Sequence, residues 1–131
     1  MHVFTYGSLM YPEIFSSVTG MTLRCTNAKL IGWRRYALAD RTYPGALPSE
    51  QPSDSIVGVV WLHVDPQAIS ALDRFEGAEY ERVAVNIITA EGQSLPAQVY
   101  QWRLPTLAQG VWNTDEFERK HLANFFEQHR G

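Results

Sequence analysis

The sequence predicts an α+β fold: a strongly curved sheet or small β-barrel with flanking helices. Three observations carry that expectation. Short apolar runs separated by turn residues dominate the chain, and only two or three stretches carry helix signals. The run Ile56-Val57-Gly58-Val59-Val60-Trp61-Leu62 is β-rich and apolar on both faces, so it has to be covered on both sides, as in a central sheet or a barrel wall. With 131 residues, 45% of them hydrophobic, the chain is long enough for one core, and a single domain over residues 1–131 is expected.

The elements follow in order. Residues 1–6 read as a strand that stops at Gly7-Ser8. Residues 11–18 form a short helix opened by Pro12, with Gly20 placed to end it. Residues 21–38 are strand-rich with irregular breaks, while 41–45 (Arg41-Thr42-Tyr43-Pro44-Gly45) and the Pro/Ser-rich 48–55 read as loops. Gly58, inside the apolar strand, predicts a bulge or bend. Residues 80–89 and 95–103 read as two strands joined by a hairpin turn at Glu91-Gly92. Asn113 followed by Glu116 is a capping box, and Phe117, Leu122, Phe125 and Phe126 give the helix it opens an apolar side.

Composition excludes several function classes. The 12% aromatic and 19% charged content is that of a globular protein, not of a disordered, collagen-like or coiled-coil chain. Eleven Lys and Arg against fourteen Asp and Glu leave a net charge of −3, too balanced for a dedicated nucleic-acid binder. Cys25 is the one cysteine, which excludes a disulfide framework and a CxxC knuckle within the chain. With no local motif or histidine partner, it reads as a small core or strand residue. His2, His63, His121 and His129 show neither HxH nor HExxH spacing, so no metal and no cofactor is expected. No apolar run approaches the roughly 20 residues of a membrane helix, and the first residues lack a signal-peptide pattern. A soluble cytoplasmic protein with no membrane partner is the expectation.

The informative segment is residues 65–77. Asp65 suits an N-cap, Pro66 the first helical position and Gly77 the C-terminal cap. At about 100° per residue, Ile69 and Leu72 define an apolar stripe, with Ala68 and Phe75 at its edge. Glu76 is seven residues after Ile69 and four after Leu72, in the middle of that stripe. A carboxylate desolvated there, at the negative end of the helix dipole, has a raised pKa. That is what a general acid/base working near neutrality requires. Two plainer readings stay open: an ion pair with Arg82 or Arg35, or fraying that frees the side chain into solvent. Glu79 and Glu81, in or beside the next turn, read as solvated.

A second candidate is Tyr6-Gly7-Ser8-Leu9. A Gly-Ser pair directly after a strand can turn the backbone so that successive N–H groups converge on one anion; taken alone it is only a turn.

Together these segments resemble the γ-glutamyl cyclotransferase-like superfamily, in particular the branch of γ-glutamylamine cyclotransferase and the avirulence-induced plant proteins. The matching pieces are residues 3–9 (VFTYGSL), 32–36 (GWRRY), 41–44 (RTYP) and 72–82 (LDRFEGAEYER), with a weaker match at Val99-Tyr100-Gln101-Trp102. They cover nearly the whole chain in the family's order. The resemblance implies a small, strongly curved mixed β-barrel with flanking helices. It also implies a cofactor-independent chemistry, in which the α-amine of a γ-glutamyl group attacks its own γ-carbonyl, releasing an amine and 5-oxoproline. Glu76 matches the catalytic glutamate; Tyr6, Gly7, Ser8 and Leu9 match the cradle for the substrate carboxylate and developing oxyanion. Tyr43, Tyr80 and Tyr100 are the residues that would close the pocket. The partner implied is a small-molecule γ-glutamyl substrate, with the leaving amine unspecified.

Two other readings compete. A non-catalytic barrel that binds a small metabolite or a partner protein has no need of a proton carrier on an apolar face. Arg24, Lys29, Arg34, Arg35 and Arg41, interleaved with Trp33 and Tyr36, invite a nucleic-acid surface. The negative net charge favours a solvated strand face instead, with Arg34 or Arg35 available to help hold an anionic substrate.

Overall fold

The computed structural model describes residues 1–38 and 43–104 together with the backbone of 108–111. In chain order the elements are β1 (Val3–Thr5), a 3-10 turn (Ser8–Met10), α1 (Pro12–Thr19), β2 (Cys25–Ile31), β3 (Trp33–Leu38), β4 (Pro44–Pro48), β5 (Ser55–Trp61), α2 (Pro66–Glu76), a second 3-10 turn (Gly77–Glu79), β6 (Tyr80–Thr89), β7 (Ser94–Trp102) and β8 (Ala108–Val111). The capping-box helix expected from Asn113 lies outside the described residues.

Five strands close into a barrel in the order β1-β5-β2-β6-β7. Closure is made by a parallel contact between β1 and β7, Val3 opposite Gln98, while the other pairings are antiparallel. The barrel is therefore mixed, as expected. Its longest ladder is the β6–β7 hairpin, from Tyr80 opposite Trp102 to Ile88 opposite Ser94, turned by Gly92 at φ 86°. The core gathers Phe4, Leu30, Val60, Ile87 and Val99 from the strands with Ile14 and Phe15 of α1 and Ala68 and Leu72 of α2, all at most 1% exposed. Phe15 stacks on Trp61 with ring centroids 4.0 Å apart.

Three expectations need correction. Gly58 makes no bulge: β5 runs in unbroken register against both neighbours, with Ala28 opposite Gly58 and Thr5 opposite Val59. Glycine is required there by close approach, since a Cβ would stand 2.3 Å from the Thr5 carbonyl oxygen and 2.8 Å from Phe4 Cζ. Nor is β5 covered along both faces, for Val57 is 59% exposed on the outside of the barrel. Finally, Pro44 and Gly45 are not loop residues but open β4. This strand forms a separate sheet in the order β4-β3-β8, where an edge position tolerates the missing proline N–H.

Candidate active site

Helix α2 forms as its local signals dictate. The Asp65 carboxylate accepts the Ala68 N–H at 2.8 Å, Pro66 occupies the first turn, and Gly77 caps the end at φ 73°. Ala68, Ile69 and Leu72 are buried and Phe75 is half-buried. Glu76, the last helical residue, is half-buried and lines a cavity of about 260 Å³. Neither arginine proposed as its partner reaches it. Arg82 pairs with Asp73, Nε to Oδ1 at 3.0 Å, and Arg35 donates from Nη1 to the Tyr6 carbonyl at 2.7 Å. Among the described residues the Glu76 carboxyl has no hydrogen-bond or ion-pair partner. Desolvation pushes its pKa from 4.5 up to about 8.

Residues 6–9 form another wall of the same cavity. Gly7 leaves the β1 path at φ −132°, ψ −133°. The 3-10 turn behind it is closed by Met10 N–H to Gly7 O at 3.0 Å and Tyr11 N–H to Ser8 O at 3.2 Å. Trp61 Nε1 donates to the Leu9 carbonyl at 3.0 Å, tying the turn to β5. The N–H groups of Gly7, Ser8 and Leu9 have no acceptor among the described residues. A Cβ on Gly7 would stand 2.9 Å from Pro44 Cδ, so the turn packs directly on β4.

The three tyrosines also line the cavity, each with its hydroxyl anchored. Tyr43 donates to Glu79 Oε1 at 2.8 Å, Tyr80 to the Pro44 carbonyl at 2.6 Å and Tyr100 to Asp73 Oδ1 at 2.7 Å. The Tyr6 hydroxyl donates to the Tyr100 carbonyl. Burial raises the pKa of Tyr6, Tyr80 and Tyr100, reinforced for Tyr6 by the nearby Glu76 and for Tyr100 by the bond to Asp73. At neutral pH these hydroxyls are neutral donors.

Every site residue expected from the sequence therefore lines one cavity. Sequence reasoning missed four others. Glu79, expected in solvent, lines the cavity and accepts from Tyr43; Pro44 lines it from β4. Asp73 and Arg82 hold Tyr100 from outside. Asp73 precedes Glu76 by three residues, a spacing that places the two on neighbouring helical positions, and this was the only local signal for it. Glu81 is exposed, as expected.

The candidates set aside fall elsewhere. Cys25 is exposed at the start of β2. His2 and His63 meet edge to face at 5.0 Å, with His2 Nδ1 accepting the His63 backbone N–H, and among the described residues no three metal-ligating side chains cluster. Arg24, Lys29 and Arg34 are exposed, the last over the Tyr36 ring at 5.3 Å; Arg41, His121 and His129 lie outside the described residues. No helix of the described residues is long and apolar enough to cross a membrane.

The family model described as γ-glutamyl cyclotransferase, AIG2-like, matches residues 3–119. The chain belongs to that family. It is 33% identical over 129 residues to AIG2-like protein A of Arabidopsis thaliana, covering 96% of this chain and 77% of the relative. An Arabidopsis thaliana protein solved in solution superposes with a TM-score of 0.74 at 33% identity, covering 97% of this chain and 86% of the other. A solved γ-glutamyl cyclotransferase, at 21% identity and a TM-score of 0.67, covers 78% of this chain and 66% of that one and shares the barrel fold.

Proposed function

We propose that this family member is a γ-glutamyl cyclotransferase acting in the cytoplasm on a small-molecule γ-glutamyl amine or amide, with Glu76 as its single general acid/base. The observation that carries the reading is an unpartnered carboxyl with a pKa of about 8 in the cavity lined by residues 6–9. The substrate's α-carboxylate and the developing oxyanion are held by the N–H groups of Gly7, Ser8 and Leu9, and its α-ammonium lies against Glu76. The approach of that cation favours the ionised carboxylate, which takes one proton. The freed α-amine attacks the γ-carbonyl carbon, closing the five-membered ring as the bond to the leaving nitrogen breaks. Glu76 returns that proton to the leaving nitrogen, then takes the second proton from the ring nitrogen and passes it to the released amine. Overall, the two protons lost by the α-ammonium depart on the amine, and no water or oxidant is consumed. The attack is intramolecular, so the protein's work is to fold the substrate back and move protons. Tyr43, Tyr80 and Tyr100 close the pocket around it.

The test is 5-oxoproline release from a panel of γ-glutamyl compounds differing in the leaving amine. Turnover of at least one supports the reading. Tight binding with no turnover of any would overturn it in favour of a barrel that only binds a metabolite.

A further inference from the structure

We propose that Arg35 is a positioning residue of this site: its guanidinium, bonded to the Tyr6 carbonyl, orients and polarises the Tyr6–Gly7 peptide so that the turn holds an anionic carboxylate. The inference rests on the reading of residues 6–9 as the substrate cradle.

Arg34 and Arg35 are neighbours on β3 with opposite fates. Arg34 is exposed and lies over Tyr36, whereas Arg35 is half-buried and reaches the barrel, donating to Tyr6 O at 2.7 Å. Burial lowers its pKa, yet a guanidinium stays charged at neutral pH. Desolvating a cation is costly unless its bonds repay it, and the bond to the Tyr6 carbonyl is one of those bonds.

That bond bears directly on the cavity. The Tyr6 carbonyl and the Gly7 N–H belong to one planar peptide and point in opposite directions. Fixing the oxygen from the protein side therefore fixes the direction of the N–H, and Gly7 lines the cavity. A charge-assisted bond to the oxygen also polarises the peptide and strengthens the N–H as a donor. The cavity needs such support, because the described residues lining it include two acidic side chains, Glu76 and Glu79, and no Lys or Arg. An anionic ligand group enters an acidic pocket, and Arg35 places a positive charge one peptide bond behind the groups that receive it.

The test compares binding of 5-oxoproline with its neutral amide, by calorimetry, in wild type, R35Q and R35K. The two probes share the ring and differ in the group presented to the cradle, an anionic carboxylate in one and a neutral carboxamide in the other. Wild type is expected to prefer the carboxylate, R35Q to lose about tenfold or more of that affinity while keeping its affinity for the amide, and R35K to fall between them. Equal carboxylate affinity in wild type and R35Q would overturn the proposal, as would equal loss of both probes. Should R35Q fail to fold, R35K decides, and wild-type carboxylate affinity in R35K would overturn the orienting role. Wild type that turns over no γ-glutamyl compound but shows this pattern would sink the catalytic reading and leave the inference standing. Wild type that binds neither probe would sink both the cradle and the inference.

Discussion

Two walls of one cavity are built in opposite ways. The α2 wall brings Glu76 without a partner, so desolvation alone sets its pKa. The wall of residues 6–9 is tethered from several directions: Arg35 on the Tyr6 carbonyl, Trp61 on the Leu9 carbonyl, the Tyr6 hydroxyl on Tyr100, and Pro44 against Gly7. The difference fits the two roles proposed for these walls. A proton carrier works because its two ionisation states are close in energy, which requires that nothing fix one of them. A cradle of N–H donors works because its groups do not move when charge develops. Loosening the first wall should cost little structure and much chemistry. Loosening the second should cost both.

The largest effect is expected at Glu76. Glu76→Gln keeps the shape and hydrogen-bonding capacity but carries no proton, so turnover should fall by on the order of 10²–10⁴, with γ-glutamyl ligands still bound. Loss of several kcal/mol of stability would instead mark a buried ion pair, whose disruption costs about 3–5 kcal/mol. The same carboxyl sets the pH profile. With a free-enzyme pKa of about 8, kcat/KM should rise about tenfold per pH unit below that value and level off above it. A profile flat between pH 6 and 8 would exclude Glu76 as the base. Stability should run the other way. Between the unfolded carboxyl's 4.5 and the folded value of about 8, the folded state holds a proton that the unfolded chain releases, so stability falls as pH rises through that window. Because Glu76 is only half-buried, Glu76→Gln should be the more stable protein by about 1–3 kcal/mol at pH 9 and indistinguishable near pH 4. Thermal unfolding at the two pH values measures it.

The same division explains how much was legible in the sequence. Helix α2 was readable to its cap because Asp65, Pro66, the Ile69/Leu72 stripe and Gly77 are all local, and the stripe placed Glu76 correctly. The Gly7-Ser8 turn was readable as a turn for the same reason. What holds that turn was not, because its partners are distant in the chain: Arg35 is 29 residues from Tyr6, Trp61 is 52 from Leu9 and Tyr100 is 94 from Tyr6. Pro44 and Gly45 carried loop chemistry, and only pairing with β3 made them an edge strand. Gly58 was correctly singled out but misread, since its reason is the Thr5 carbonyl on a strand 53 residues earlier. Glu79 read as solvated because its partner, Tyr43, lies 36 residues away.

The tethered wall gives the smaller predictions. Gly7→Ala would place a methyl 2.9 Å from Pro44 Cδ and 3.0 Å from Cγ. The turn or β4 has to shift, at about 1–3 kcal/mol. KM for γ-glutamyl substrates should rise with the loss of stability, and unchanged KM would mean the cradle is not where the substrate sits.

Tyr80→Phe should have the smallest effect and divides the two walls most finely. Its hydroxyl is buried and donates to the Pro44 carbonyl at 2.6 Å, joining β6 to β4 across the cavity. Removing it leaves a buried carbonyl short of a donor, which costs about 1–3 kcal/mol, toward the low end because the ring stays packed edge to face on Trp102 at 5.1 Å. Nothing in that bond touches Glu76 directly. The variant should therefore melt lower and bind substrate less tightly, while the midpoint of the pH–rate profile stays near 8. A midpoint that moved with Tyr80→Phe would show that the two walls are electrostatically one unit, the hydroxyl tuning the carboxyl across the cavity. A fixed midpoint would leave desolvation by α2 and its neighbours as sufficient cause for the pKa of Glu76.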